Sequence, residues 1–271
     1  MQYFYSMRTL QITLLFFISV FTVNAQEVKQ NLLNRYFEVT TNVKEAFFYR
    51  LSQPFKGYWA YTDYDSKDRV VRTGYFTDSN FTTQIGPHSF FWEGKPMYKG
   101  KFVDGKPSGY WYFYNTKGEI YDSLHYVEKT TAEVKNSFPE KNDEAEKNKT
   151  AMLQNEHMKK DSSVVFATVE KEASFPGGDK GWSKYLTKQL SMPDLIMAIN
   201  RPQRMTVEVQ FVVCNDGEVC SVEAINSSSP LLDIMAVNAI RKGPKWEPAF
   251  QNNKNVKAWR RQKISFIIPE D

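Results

Sequence analysis

Between Met205 and Ile268 the apolar positions switch from a period of two to a period near 3.6 and back again. Val207, Val209, Phe211 and Val213 alternate with Glu208 and Gln210, which predicts a strand with one buried face. Asn215-Asp216-Gly217 supplies turn chemistry, and Val219 to Ile225 returns as the second arm of a hairpin. Leu232, Met235, Ala236, Ala239 and Ile240 then stand at i, i+3, i+4, i+7 and i+8, one apolar stripe of a helix. Ser229 is placed to cap that helix, Pro230 suits its first position, Arg241 and Lys242 suit its last turn, and Gly243-Pro244 ends it. Ile264, Phe266 and Ile268 restore the two-residue period as a third strand. Upstream, Val164 to Val169 reads as a strand. A helix over Lys180 to Leu190, capped by Asp179, would bury Trp182, Tyr185, Leu186 and Leu190. Met192-Pro193 stops it, and Asp194 to Asn200 reads as one further short turn.

A different pattern fills Gly57 to Tyr126, where 19 of the chain's 41 aromatics fall within 70 residues. GYWAYT, TGYFTD, GPHSFFW and KGKFVDGKPSGYWYFYNTKGEI each run from a glycine into alternating aromatics and then a turn. Gly86 to Gly109 is 23 residues and Gly74 to Gly100 is 26, an internal repeat of hairpin length. Asp104-Gly105 and Lys117-Gly118 are turn pairs. The lead-in from Gln26 to Leu51 holds a helical turn at Thr41 to Ala46 and a strand at Phe47-Phe48-Tyr49. From Glu128 to Ser162 apolar periodicity disappears, and 15 of 35 residues are charged, eight acidic and seven basic. This predicts a solvated connection that holds two folded units apart. The expected division is 1–25, 26–127, 128–163 and 164–271.

The motifs of the last unit carry a resemblance. Phe175-Pro176-Gly177-Gly178, Pro193, Asp216-Gly217, Pro230-Leu231-Leu232-Asp233 and Pro244-Lys245-Trp246-Glu247-Pro248-Ala249 follow in order. Over roughly 166–268 the chain thus resembles the C-terminal domain of TonB-type energy transducers. The resemblance implies an α+β fold, two helices on one face of a three-stranded antiparallel sheet. It also implies a partner: a short segment of an outer-membrane transport receptor, or of another envelope protein, added to the sheet as a strand. By that resemblance Trp259 to Ile268 is the receiving edge, with Trp259, Arg260, Arg261, Lys263 and Ser265 flanking the incoming peptide. The aromatic hairpins of 57–126 resemble MORN-type repeats, which implies an elongated antiparallel meander. The charged connection lacks the long Pro-rich arm of TonB-type transducers, which leaves open a structural adaptor with no energy-transducing role.

Composition narrows the classes. Hydrophobic residues make up 41% of 271, enough for more than one packed unit. The net charge of +4 is small and mixed in sign, which argues against nucleic acid as a partner. Residues 1–25 read as a signal peptide: Arg8 precedes an uncharged, mostly apolar run, and Val23-Asn24-Ala25 offers a cleavage site before Gln26. Export to the periplasm follows. The 18 uncharged residues from Thr9 to Gln26 also reach the lower length limit of a span, so membrane contact through a retained inner-membrane anchor stays open. The two cysteines, Cys214 and Cys220, lie in the hairpin, where a disulfide and two separate thiols are both compatible with the alternation. His88, His125 and His157 stand apart from any second ligand at metal spacing, and no nucleophile motif or phosphate loop is present, so neither a metal, a cofactor nor an enzymatic activity is expected.

Overall fold

The computed structural model describes residues 28–126, 137–138, 148, 164–190, 203–225 and 229–268. The expected signal peptide, most of the charged connection, Met192-Pro193 and the turn over Asp194–Asn200 lie outside the described residues.

Among the described residues nine strands form one antiparallel sheet. They are β1 (Lys29–Leu33), β2 (Val39–Thr40), β3 (Phe48–Phe55), β4 (Tyr58–Asp65), β5 (Val70–Phe76), β6 (Gln84–Trp92), β7 (Lys95–Val103), β8 (Lys106–Tyr114) and β9 (Ile120–Tyr126). The order is β2-β1-β3 and then sequential to β9, the meander that hairpin-forming turns dictate. Both residues of Lys56-Gly57, Glu93-Gly94 and Asp104-Gly105 take positive φ, as tight two-residue hairpins require. The expected helical turn is a 3-10 turn over Val43–Glu45.

The 26-residue glycine spacing has a packing cause. The ring of His88 on β6 lies over Gly74, and the ring of Trp111 on β8 lies over Gly100. A Cβ would come within 2.3 Å of the imidazole at the first and 2.2 Å of the indole at the second. Only glycine leaves room for a ring lying flat against the neighbouring strand. The same face carries a row of contacting rings, Tyr61, Phe76, His88, Phe102 and Trp111. Charge is buried beside them. Arg50 Nε and Nη2 donate to the two oxygens of Asp63 at 2.7 and 2.9 Å, and Arg72 Nε donates to the same carboxylate at 2.5 Å. Phe81 stacks on Arg50 and Phe37 on Arg72, with the cation carbons 4.3 and 3.7 Å from the ring centres.

The second unit contains α1 (Gly178–Gln189), β10 (Gln203–Val213), β11 (Val219–Ile225), α2 (Pro230–Arg241), β12 (Ala249–Gln251), β13 (Lys254–Val256) and β14 (Ala258–Ile268). Its three-stranded sheet runs β11-β10-β14, all antiparallel. Val207, Val209, Phe211, Ile264, Phe266 and Ile268 are buried together on one face. Two local expectations are corrected, and one element is new. Asp179 lies inside the first turn of α1, because Gly177 takes the cap position and offers no side chain. Val164 to Val169 is not a strand: Phe166 alone pairs, with Ala258, before the chain bends away. The small hairpin of β12 and β13 was not expected, although Asn252-Asn253, both at positive φ, is its turn signal.

The two units are not held apart. Phe102, Trp111, Phe113 and Leu124 of the meander share one core with Leu232, Ile234, Val237 and Ile240 of α2. Leu232, Ile234, Ala236, Val237, Ala239 and Ile240 are all buried, so α2 is covered on every side, which a helix apolar around its circumference requires. Tyr126 Oη donates to Asp233 Oδ2 at 2.5 Å, and Arg241 Nη1 donates to Asp122 Oδ1 at 3.0 Å. Burial, reinforced by the Asp233 carboxylate, pushes the Tyr126 phenol far above its ordinary range. Cutting an engineered protease site in the charged connection is therefore expected to leave both pieces associated. They should co-elute in size-exclusion chromatography and part only in denaturant. Separate elution of two folded fragments would contradict the shared core.

Candidate functional site: an open strand edge

The motif residues assemble into a support for the sheet. Phe175 packs against Trp182 and Trp246, with ring centres 5.0 and 5.5 Å apart, and Trp246 packs on Phe211 at 4.9 Å. Gly217, in the hairpin turn at positive φ, accepts a hydrogen bond from the Trp246 amide at 2.8 Å. A Cβ there would lie 2.2 Å from the Trp246 carbonyl oxygen, so glycine is needed for both conformation and space. Pro176, Gly177 and Gly178 turn the chain into α1, where the Gly178 amide donates to the Phe175 carbonyl at 2.8 Å. Backbone bonds join Ser174 and Glu247 in both directions, and Pro248 follows directly, leading to the buried Ala249 of β12. Asp216 closes the turn by accepting from the Glu218 amide at 3.0 Å. These residues hold the sheet in shape, and Phe175 and Trp246 are buried away from any partner.

Cys214 and Cys220 are bonded across the same turn, with Cα atoms 6.0 Å apart. The bulge at Val212/Val213 settles the register that alternation left open. The cross-link pins the tip of the hairpin whose first strand, β10, carries β14.

β14 pairs with β10 along its whole length, from Ala258↔Val213 to Ile268↔Gln203. Its other side has one partner among the described residues. The Trp259 amide donates to Phe166 O at 3.0 Å, and Phe166 N donates to Lys257 O at 2.9 Å. Trp259 therefore points its backbone outward. By strand alternation the N–H and C=O groups of Arg261, Lys263, Ser265 and Ile267 do the same, while those of Gln262, Ile264, Phe266 and Ile268 point to β10. The open window is thus Arg261 to Ile267, shorter than the expected Trp259 to Ile268. Phe166 already holds the first slot.

The flanking side chains divide between the two faces of the sheet. Trp259, Arg261, Lys263, Ser265 and Ile267 are exposed on the face away from the helices. Arg261 Nε donates to Gln210 Oε1 at 2.9 Å, Gln210 donates on to Glu223 at 3.2 Å, and the Ser265 and Thr206 hydroxyls are 3.1 Å apart. This polar ladder keeps the exposed face wet and leaves the backbone edge beside it open. Arg260 departs from the expected set. It turns to the opposite face and forms an ion pair with Glu172, so it is bound to the lead-in segment. The aromatic meander holds His88 in its buried row, and His125 lies against Tyr110. His157 lies outside the described residues.

Residues 196–268 match the family model described as Gram-negative bacterial TonB protein C-terminal. No curated protein and no solved structure matches the chain. The matched span covers β10, β11, α2, the small hairpin and β14 and begins after α1, so the likeness to the TonB C-terminal family lies in the last part of the chain. No helix among the described residues is long and apolar enough to cross a membrane.

Proposed function

We propose that β14 receives an extended peptide segment of another envelope protein, an outer-membrane transport receptor in the first instance, as an added strand. The observation that supports this reading is the backbone from Arg261 to Ile267, unpaired on its outer side among the described residues and set in a span that matches the TonB C-terminal family. Strand addition takes its affinity from main-chain hydrogen bonds and asks little of peptide sequence. Ile267 supplies apolar contact at one end of the window and Trp259 just beyond the other, and Arg261 and Lys263 supply positive charge between them. The segment would bind in the periplasm, reached through the signal peptide at 1–25, and the chain acts there as an interaction protein rather than an enzyme. The MORN-like resemblance of 57–126 fits a scaffold in the same way, since it implies no catalytic layer.

The test is a chemical-shift titration of the full chain with extended peptides from outer-membrane receptors. The amides of Arg261, Lys263, Ser265 and Ile267 should shift most, because they gain partners. Those of Gln262, Ile264 and Phe266, already bonded to β10, should move little. Perturbation spread evenly along β14, or none at millimolar peptide, would defeat the reading.

A second reading is a periplasmic adaptor with no energy-transducing role. The docking of the last strands of the meander on α2 favours it, since the chain then presents one body. The N-terminus of the mature protein separates the two: a start at Gln26 favours the adaptor, and an intact leader favours the transducer.

A further inference from the structure

The face of the meander turned away from α2 carries a second recognition feature, and Phe138 is seated on it. Its ring centre lies 4.6 Å from that of Tyr75, 5.1 Å from that of Tyr58 and 6.3 Å from that of Phe55. Ile85 and Val103 are buried beneath this group. Gly86, at φ 69°, forms the floor, and a Cβ there would lie 2.8 Å from the Phe138 ring. From Tyr75 an open groove of about 470 Å³ continues past Pro87, Ala60, Thr62 and Leu51 to Tyr64. The seat therefore has an aromatic wall, an apolar base, a floor cleared of side chain and room beside it for backbone.

We propose that this face is a binding site for an aromatic side chain borne on a peptide segment, and that the chain supplies its own ligand, Phe138. Three rings surround the inserted one, Tyr58 and Tyr75 tilted against it and Phe55 more nearly parallel at a longer distance, all within the range of favourable aromatic contacts. A ligand carried in the same chain acts at an effective concentration in the millimolar range, so a seat of modest intrinsic affinity stays filled. The site is distinct from β14 and stands whether or not that edge accepts a strand.

The experiment uses the full chain carrying Phe138→Ala and a synthetic hexapeptide of the sequence Lys135–Glu140. The peptide should give saturable shifts at Tyr58, Tyr75 and Gly86 in the variant, and bind the unaltered chain at least about tenfold more weakly. The same peptide with alanine for phenylalanine should give none. Absence of these shifts in a folded Phe138→Ala protein overturns the proposal. Should that variant fail to fold, the unaltered protein decides: nuclear Overhauser contacts from the Phe138 ring to Tyr58 and Tyr75 are expected, and their absence overturns the site. A dimer that Phe138→Ala converts to monomer would show the ring to be supplied by a second copy, against the assignment to the same chain.

Discussion

Acidification from pH 6.5 towards 3 should destabilise the protein by several kcal/mol more than it destabilises a His88→Phe variant. His88 is buried, and its Nδ1 lies 3.1 Å from the Gly86 carbonyl. A carbonyl only accepts, so Nδ1 carries a proton. Nε2 finds no hydrogen-bond partner, enclosed by Phe76, Phe90 and Phe102. Desolvation pushes the imidazole down from 6.5 to about 3, and nearby Arg72 works in the same direction. Between those values the unfolded chain binds a proton that the native protein does not. Stability is therefore whole above about 6.5 and drains as pH falls, by about 1.4 kcal/mol per unit and on the order of 5 kcal/mol in total. Phenylalanine fills the same slot without titrating. The readout is the difference in slope between chemical denaturation series at several pH values, which a fixed offset in stability does not alter. Parallel slopes would mean that the ring is solvated.

Replacing Asp63 with asparagine should cost about 3–5 kcal/mol, since one carboxylate neutralises two buried guanidinium groups. Asp63 is fully buried and Arg50 nearly so, and Arg72 reaches the surface only slightly. The amide keeps the volume but not the charge, so the loss measures electrostatics rather than a cavity. Arg50→Met with Asp63→Asn should recover part of that loss, because the double change removes a buried cation along with its partner. Equal stability of Asp63→Asn and the parent at neutral pH would contradict the burial of this cluster.

The turns were readable because their chemistry is local. Asp104-Gly105 and Asp216-Gly217 carry the residues that left-handed backbone demands, and the strands between them alternate cleanly. The Arg50–Asp63–Arg72 cluster was not readable. Its members come from β3, β4 and β5, and polar residues in alternation are ordinarily assigned to a wet face. α2 carried a signal that the single stripe of Leu232, Met235, Ala236, Ala239 and Ile240 hid. Leu231, Ile234 and Val237 fill the other side, and a helix apolar all round needs a second layer. The meander is that layer, and nothing local names it. At the candidate edge the strand and its alternation followed from Ile264, Phe266 and Ile268, whereas the shortening of the window by Phe166 depends on a contact 92 residues away in sequence, as does Arg260 through Glu172 at 88.

The most direct test of the edge is a pair of proline substitutions compared in the full chain. Ser265→Pro removes an amide that faces outward, which an edge strand tolerates, so the protein should stay folded while peptide binding falls about tenfold or more. Ile264→Pro removes an amide bonded to β10 and disturbs a buried side chain, so it should unfold the domain. Receptor-peptide affinity measured by calorimetry on folded Ser265→Pro decides the matter. A clear loss of affinity at unchanged melting temperature is the predicted result, and unaltered affinity would contradict strand addition at β14.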